Sequence, residues 1–150
     1  MIKFIRTSSD NVHFQGLIKR LDVVLKEVDG DQFDFLSQFN KVDKINNVVV
    51  CFVDEVAVGC GAFKEYESGV AEIKRMFVSD EFRGKGIASA ILLELETWAK
   101  EEGYSKCILD TNKDLKNAVQ LYLKNGYEIT ERYGQYIDVA SSVCMKKELN

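Results

Sequence analysis

The sequence predicts a single α+β domain over residues 1–150, with a mixed, mostly antiparallel central sheet flanked by helices. Three apolar strands follow one another through short polar connections, which is typical of an antiparallel meander. These strands are residues 47–53, 56–65 and 70–78. A glycine-rich turn and a long helix come directly after the third strand. Because a meander is combined with a βα unit, we expect the sheet to be mixed.

The segment before the meander predicts one strand and two helices. Ile2–Thr7 alternates apolar and polar residues, which favours a strand. Apolar residues then recur with the helical period of about 3.6 from residue 11 to residue 28. An Asp-Gly-Asp sequence ends this helix, and four further apolar residues indicate a second, short one. They are Phe33, Phe35, Leu36 and Phe39.

The segment after the meander predicts alternating helices and strands. The helix that follows Arg83 has a continuous apolar face and ends at Gly103. That face is formed by Ile87, Ile91, Leu95, Trp98 and Ala99. The remaining predicted elements are a strand at 105–110, a helix at 114–125, and two closing strands at 127–132 and 139–149.

The composition argues against several classes of function. A net charge of −4 argues against nucleic acid as an obligatory partner. The four cysteines are widely spaced, no C-x-x-C motif is present and His13 is the single histidine, so no metal site is expected. Buried free thiols suit a reducing compartment, and the sequence has neither a signal-peptide core nor an 18-residue apolar stretch. We therefore expect a soluble cytoplasmic protein without a membrane partner.

The turn at residues 83–88 is the first candidate binding site. It consists of Arg83, Gly84, Lys85, Gly86, Ile87 and Ala88. Its glycines let a ligand approach the backbone amides closely, and the helix that begins there has a positive dipole end. Together with two basic side chains, these features favour an anion such as a pyrophosphate. The P-loop spacing is absent and Ser89 stands where a Rossmann motif needs glycine, which leaves an ordinary basic turn as the alternative.

Two motifs resemble those of a known family. Arg83, Gly86 and Ala88 fill the pattern [RQ]-x-x-G-x-[GA] after a strand, which resembles the acetyl-CoA-binding motif of the GNAT superfamily of N-acetyltransferases. Downstream, N-A-V-Q-L-Y at 117–122 followed by N-G-Y at 125–127 is similar to the family's second recurring segment. The resemblance implies a GNAT-like (acyl-CoA N-acyltransferase) fold, in which two neighbouring strands splay apart around the cofactor.

The resemblance also implies acetyl-CoA as a cosubstrate and suggests which residues bind it. The amides of the turn and the Arg83 side chain would bind the pyrophosphate. The strand edge formed by Met76, Phe77 and Val78 would pair with the pantetheine arm, much as a peptide adds to a sheet edge. Asn117 would donate a hydrogen bond to the same cofactor. Without the family context, Asn117 is a solvated helix residue.

Glu72 is the candidate general base. Strand alternation predicts a single face that carries Glu72, Lys74, Met76 and Val78, so the carboxylate would point toward the thioester. Several GNAT enzymes use an acidic residue on this strand. The alternative is that Glu72 and Lys74 form a solvated pair of charges, in which Lys74 would lower the pKa of the carboxylate.

Tyr122 is the candidate general acid, because it matches the tyrosine that the family places near the cofactor sulfur. Tyr122 also shares a helix face with apolar residues, so a half-buried core tyrosine is the alternative. Backbone N–H groups around Met76–Val78 are the expected donors to the oxyanion. No nucleophile with a positioned base is evident, which favours direct transfer in a ternary complex.

The sequence therefore predicts an acetyl-CoA-dependent N-acetyltransferase that acts on a primary amine of a small molecule or a peptide. The alternatives are a CoA-binding module without turnover, or an acyltransferase that uses another acyl chain or an oxygen acceptor. A homodimer is left open. The parts least like the family are expected to select the acceptor, namely the helices within Asp10–Asn40 and the loop Tyr133–Val139. The candidate contacts there are Asp31, Asp34, Tyr133 and Tyr136.

Overall fold

The computed structural model describes residues 1–39 and 44–150, which contain seven strands and four α-helices. The strands are β1 Ile2–Thr7, β2 Asn47–Val53, β3 Val56–Glu67, β4 Val70–Val78, β5 Lys106–Asn112, β6 Glu128–Thr130 and β7 Ser142–Glu148. The helices are α1 Val12–Asp29, α2 Phe33–Ser37, α3 Ile87–Glu101 and α4 Lys116–Lys124. Asn40, at the end of the segment predicted to contain the first two helices, lies outside the described residues.

The seven strands form one sheet in the order β1-β2-β3-β4-β5-β7-β6. β4 and β5 run parallel, and the other neighbouring strands run antiparallel. The predicted meander is formed by β2, β3 and β4, and α3 is the crossover that joins β4 to β5. The predicted α+β class with a mixed, mostly antiparallel sheet is confirmed.

The central parallel pair comes apart partway along its length. β4 pairs with β5 from Val70 opposite Lys106 to Glu72 opposite Ile108, and no further pairs follow between them. β4 nevertheless continues to Val78 and β5 to Asn112. The second half of each strand therefore lacks a partner on the side that faces the other, and a wedge opens in the middle of the sheet.

The two long helices cover opposite faces of the sheet. Ile91 and Leu95 of α3 belong to one hydrophobic core, and Phe14 and Leu17 of α1 belong to another. Gly61 of β3 lies directly under α3, where a Cβ atom would be 2.5 Å from Met76 Sδ and 2.8 Å from Leu95 Cδ1. Glycine therefore allows α3 to approach the sheet closely at this point.

A β-bulge interrupts the alternation of β4. Arg75 has a φ of +59°, and the register with β3 shifts between Cys60 and Ala62. Side chains beyond the bulge consequently change faces. Met76 and Val78 pack with the α3 core, whereas Phe77 packs with the α1 core. The prediction that Glu72, Lys74, Met76 and Val78 share one face is therefore wrong, because a single inserted residue reverses the alternation.

The closing strands are shorter than predicted. β6 spans Glu128–Thr130 instead of 127–132, and β7 begins at Ser142 instead of at residue 139. A 3₁₀ turn at Gly134–Tyr136 occupies part of the connection between them. The apolar side chains of this connection pack against α2 and β7 in a small core formed by Leu36, Tyr136, Val139 and Cys144. The apolar residues of this segment therefore belong to a packed loop, and the strands are shorter than their apolar pattern suggested.

The described residues contain neither a candidate membrane span nor a candidate metal-binding cluster. Within residues 1–39 and 44–150, none of the helices combines the length and the apolar character needed to cross a membrane. In the same part of the chain, no three His, Cys, Asp or Glu side chains form a group that could bind a metal ion. The four cysteines are buried free thiols.

Candidate active site

The glycine-rich turn forms the N-terminal end of α3. Gly84 and Gly86 have φ values of +77° and +79°, which side chains other than glycine rarely adopt. Gly86 is the N-cap residue and no side chain caps the helix, so the first amides of α3 have no partner from a capping group. A Cβ at either glycine would meet no other atom within 4 Å, so the turn opens away from the rest of the protein. These exposed amides are suited to an anion.

Arg83 connects this turn to the end of β4. Its Nε donates a hydrogen bond to the Val78 carbonyl oxygen at 3.0 Å, and its Nη1 lies 3.1 Å from Asp80 Oδ1. The side chain is about half exposed. Lys85 Nζ lies 5.3 Å from the centre of the Phe82 ring, at the distance of a cation–π contact. Arg83 therefore lies against the C-terminal end of β4, and Lys85 lies on the same turn.

The second motif lies on α4, and its residues have different surroundings. Asn117 is exposed in the first turn of α4. Asn125, at the C-cap, donates a hydrogen bond from Nδ2 to Ser89 Oγ in the first turn of α3 at 3.1 Å. The contact joins the C-terminal end of α4 to the helix that follows the glycine-rich turn. The structural role of Asn125 was missed from sequence, although the residue is part of the quoted motif.

A cavity of about 130 Å³ lies in the wedge between the diverging strands. Three of the predicted site residues, Glu72, Met76 and Tyr122, line it. Titratable groups that were not predicted also line it, namely Asp29, Arg75 and Asp110. Lys74, Tyr136 and Ser142 are among its other polar residues, and Leu21, Leu25 and Leu36 contribute apolar surface. Phe77, by contrast, packs under α1, so only its backbone can contribute to the predicted cofactor edge.

Glu72 is buried, with an exposure of 3%, and two groups contact its carboxylate. Tyr133 Oη donates a hydrogen bond to Oε2 at 2.7 Å, and Lys74 Nζ lies 3.7 Å from Oε1. Lys74 also donates to the carbonyl oxygen of Phe39 at 3.0 Å and to Tyr136 Oη at 3.4 Å. Burial lowers the pKa of Lys74, and the charge of Glu72 opposes this shift. The predicted charge pair exists, but it is buried.

Asp110, on β5, is a second carboxylate in the cavity. Burial raises the pKa of Asp110 to about 7, while hydrogen bonds from Ser142 and Cys144 and the charge of Lys74 oppose the rise. Cys144 Sγ lies 3.7 Å from Asp110 Oδ1. Sequence reasoning missed this residue because it was assigned only as the end of a strand. The available signal was a carboxylate that follows a buried apolar run in the strand next to β4.

Tyr122 is buried beside Asp110. Its exposure is 6%, and its ring makes an edge-to-face contact with Tyr127 at a centroid distance of 5.8 Å. Burial, with a contribution from the charge of Asp110, raises the pKa of Tyr122 above its usual range. The phenol is therefore protonated near neutral pH and can act as a proton donor in the cavity.

Tyr127 differs from Tyr122 in its hydroxyl partner. Its Oη donates to Glu96 Oε2 at 2.8 Å, and Lys147 Nζ lies 2.8 Å from Glu96 Oε1. Glu96 is 6% exposed, so the tyrosine and the lysine together neutralise and satisfy a buried carboxylate. Tyr127 does not line the cavity. It is a structural residue next to a candidate catalytic one.

The comparisons with known sequences agree on one family. The model of the acetyltransferase (GNAT) family matches residues 17–127. YsnE of Bacillus subtilis, an uncharacterized N-acetyltransferase, is 35% identical over 98 residues, which are 64% of this chain and 64% of the relative. The IAA acetyltransferase of Azospirillum brasilense is 36% identical over 93 residues, or 61% of each protein. The chain thus matches somewhat less than two thirds of the length of each of these curated relatives.

Solved structures share the whole architecture. An acyl-CoA N-acyltransferase of Klebsiella pneumoniae superposes with a TM-score of 0.84 at 26% identity, covering 100% of this chain and 99% of the other. The PaiA N-acetyltransferase of Thermoplasma acidophilum, solved with coenzyme A, has a TM-score of 0.73 at 19% identity, covering 99% of both chains. At 19% identity, the likeness to the PaiA protein shows a shared fold and nothing more. Because the family model matches most of the chain and the solved structures share its architecture, the protein belongs to the GNAT family of acetyltransferases.

Proposed function

We propose that this protein is an acetyl-CoA-dependent N-acetyltransferase that transfers the acetyl group directly to a primary amine of a small molecule or a peptide. The observation that carries the proposal is the cavity between β4 and β5. It combines the buried carboxylate of Glu72 and the half-buried carboxylate of Asp110 with a protonated tyrosine, Tyr122. Membership of the GNAT family supports the same reaction class.

The residues present fit acetyl-CoA, which supplies an activated acetyl thioester when bound. The amides of the turn at residues 84–88, which no side chain caps, and the basic side chains of Arg83 and Lys85 suit a pyrophosphate. The part of β4 beyond Glu72, which does not pair with β5, offers backbone groups to an extended pantetheine arm. Asn117 is exposed on α4 and can donate a hydrogen bond. A GNAT acetyltransferase of Elizabethkingia anophelis with the same fold was solved with acetyl-CoA bound, which supports this choice.

Glu72 and Asp110 are both candidates for the general base. An acceptor amine is protonated in water and must lose a proton before it attacks the thioester. A base with a pKa near the working pH is the most effective, and Asp110, with a pKa of about 7, meets this condition. Glu72 is ion-paired with Lys74 and accepts a hydrogen bond from Tyr133, so both of its carboxylate oxygens already have a partner. We therefore propose Asp110 as the base alongside the sequence-based candidate, Glu72.

Tyr122 is the proposed general acid. The departing thiolate needs a proton, and the buried phenol of Tyr122 retains its proton near neutral pH. Asp110 and Tyr122 line the same cavity, so Asp110 can accept the proton of the amine and Tyr122 can donate a proton to sulfur within one site. No covalent enzyme intermediate is required, because amine and thioester meet in a ternary complex.

The direct experiment is incubation of the protein with acetyl-CoA and a panel of primary amines, with the release of free thiol as the readout. Binding of CoA is measured separately by calorimetry. Thiol release that depends on both acetyl-CoA and an amine is the expected result. Binding of CoA without release for any amine or longer acyl-CoA would instead indicate a CoA-binding module. Absence of CoA binding would reject the proposal.

A further inference from the structure

Asp29 is the last residue of α1 and lines the cavity between β4 and β5. Two leucines of the same helix, Leu21 and Leu25, line the cavity as well. Each of these residues follows the previous one by four positions, so the three form one stripe along α1. The stripe is apolar over two turns and ends in a carboxylate. An aliphatic chain with a polar group at its far end matches this side of the cavity.

The carboxylate of Asp29 has a fixed orientation at the cavity wall. Asn112, which also lines the cavity, donates a hydrogen bond from Nδ2 to Asp29 Oδ1 at 2.9 Å. Asn112 is itself oriented, because its Oδ1 accepts a hydrogen bond from the backbone N–H of Asp114 at 2.8 Å. Within residues 1–39 and 44–150, the buried side-chain nitrogen and oxygen atoms that lack a partner both belong to Arg75. Oδ2 of the half-buried Asp29 makes no hydrogen bond to these residues either, so this oxygen is accessible.

The ion pairs around the cavity leave two acids without a cation. Lys74 Nζ lies 3.7 Å from Glu72, and Arg75 is paired with an aspartate of α1 that does not line the cavity. In the part of the chain that the structure describes, neither Asp29 nor Asp110 forms an ion pair. Burial raises the pKa of both, because it penalises the charged form. A ligand with two positive groups would compensate both charges.

The two acids lie a short distance apart. Asp110 and Asn112 are two residues apart on one face of β5, which corresponds to about 7 Å along the strand. Because Asn112 contacts Asp29 directly, the Asp29 carboxylate lies roughly one such step beyond Asp110. This spacing suits two amino groups joined by a short aliphatic chain, and a cavity of about 130 Å³ suits a compact molecule.

We propose that Asp29 binds the distal ammonium of the acceptor, and that the acceptor is accordingly a short aliphatic diamine. This inference rests on the proposed acetyl transfer and specifies its substrate class. The methylene groups lie along Leu21 and Leu25, and the reacting amine lies at the carboxylates of Glu72 and Asp110. That amine gives up a proton and gains the acetyl group, whereas the distal ammonium keeps its charge beside Asp29.

The experiment compares acceptors that differ only at the far end of the chain. Diaminopropane, diaminobutane and diaminopentane are each paired with the monoamine and the amino alcohol of equal length, and kcat/KM is measured at saturating acetyl-CoA. For the parent, the best diamine should exceed its monoamine by about 10–100-fold, the range expected for a hydrogen-bonded charge pair. In Asp29→Asn this ratio should fall toward one, because the charge is removed while an oxygen that can accept from Asn112 is kept.

Glu27→Gln is the matched control. Glu27 is an exposed acid of α1 that precedes Asp29 by two residues and does not line the cavity. This variant should keep the parent's preference for the diamine, which separates a contact at Asp29 from a general attraction of cations to an acidic surface. Equal kcat/KM for diamine, amino alcohol and monoamine in the parent would overturn the inference while leaving acetyl transfer intact, and that outcome does not depend on whether a variant folds. A full preference in Asp29→Asn would also overturn it.

A binding measurement covers the case in which no member of the panel is acetylated. Calorimetry with N-acetyl diamines, the expected products, which retain one ammonium, is then performed on the CoA-saturated protein. Binding that weakens at least about 10-fold in Asp29→Asn, but not in Glu27→Gln, supports the distal site even without turnover. Failure of the parent to bind these compounds, or equal binding in all variants, would reject it. Failure to bind CoA at all would instead reject the proposed function.

Discussion

Tyr133 donates a hydrogen bond of 2.7 Å from Oη to Oε2 of Glu72 and thereby joins the β6–β7 connection to the buried charge of β4. The ring of Tyr133 also packs edge-to-face on Tyr66 and Tyr136. Tyr133 and Tyr136 were expected only to contact the acceptor. Their contacts with Glu72 and Lys74 show that they also stabilise the charges beside the cavity.

Tyr133→Phe should lower the free energy of unfolding by about 1.5–3 kcal/mol, because a hydrogen bond to a buried charged group is lost while the ring is kept. Denaturant unfolding at neutral pH measures the change. Tyr66→Phe is the matched control, since Tyr66 is 38% exposed and contacts the same ring. Its change should stay within about 0.5 kcal/mol. Equal effects in the two variants would show that the Tyr133 hydroxyl contributes nothing to stability.

Asp110→Asn should reduce turnover by roughly 10²–10⁴-fold if Asp110 is the general base. Parent activity should rise with pH through about 7, as Asp110 loses its proton, and the variant should lack that acidic limb. Glu72→Gln is measured in parallel and, if Glu72 is the base, should itself cause the loss of both turnover and the acidic limb while CoA binding is kept. The variant that removes the limb identifies the base, and an unchanged profile in both would exclude a carboxylate base.

Asp110→Asn should also alter the dependence of stability on pH. The pKa of Asp110 is about 7 in the folded protein, above the ordinary aspartate value of 3.8 that applies to the unfolded chain, so the folded state binds more protons between these two pH values. Stability contributed by Asp110 is therefore fully present at low pH and is lost as the pH rises through about 7. The variant should melt at a higher temperature than the parent at pH 8, and the difference should vanish near pH 4. A parent and variant that differ equally at both values would contradict the raised pKa.

Tyr122→Phe should lower turnover at saturating acetyl-CoA by about 10-fold, less than the 10²–10⁴-fold typical of a lost acid–base group, because water can also protonate a thiolate. Tyr127→Phe is the control. It should lower stability by about 1.5–3 kcal/mol through the lost bond to Glu96 and leave turnover nearly unchanged. Melting curves accompany both rates. If Tyr122→Phe retains the parent's rate, Tyr122 is only a core residue.

Gly86→Glu should abolish CoA binding, which is expected in the micromolar range or tighter for the parent. The new carboxylate would stand at the N-terminal end of α3 and repel a pyrophosphate. Gly103→Glu imposes a similar positive-φ strain, at +95°, near the opposite end of the same helix and also in open space. Calorimetry should find CoA binding lost only in the first variant. Unchanged affinity in Gly86→Glu would remove the turn from the binding site.

Sequence reasoning predicted the meander and the βα unit because these depend on short loops and on regular periodicity. A position of Glu72 and Tyr122 near one another was implied by the family resemblance, since the strand alternation used to orient Glu72 is interrupted by the bulge. The bulge at Arg75 could not be predicted, since its left-handed backbone is stabilised by Asp22 and Ile18, which are distant in sequence. Asp110 was missed for a related reason. A sequence gives the identity of an acid, but its pKa depends on burial and on neighbours such as Ser142 that only the fold provides.

The separation of β4 from β5 beyond Glu72 has a consequence for backbone amide exchange with solvent. Along β4, amides directed toward β3 are engaged in the antiparallel ladder, whereas amides directed into the wedge have no strand beside them. Outside the bulge at Arg75 and Met76, residues 73–78 should therefore alternate between slow and fast deuterium uptake, unlike the amides of β2, which pairs on both sides. An extended ligand in the wedge would slow the fast set, and the strand would then exchange like an interior strand of a continuous sheet.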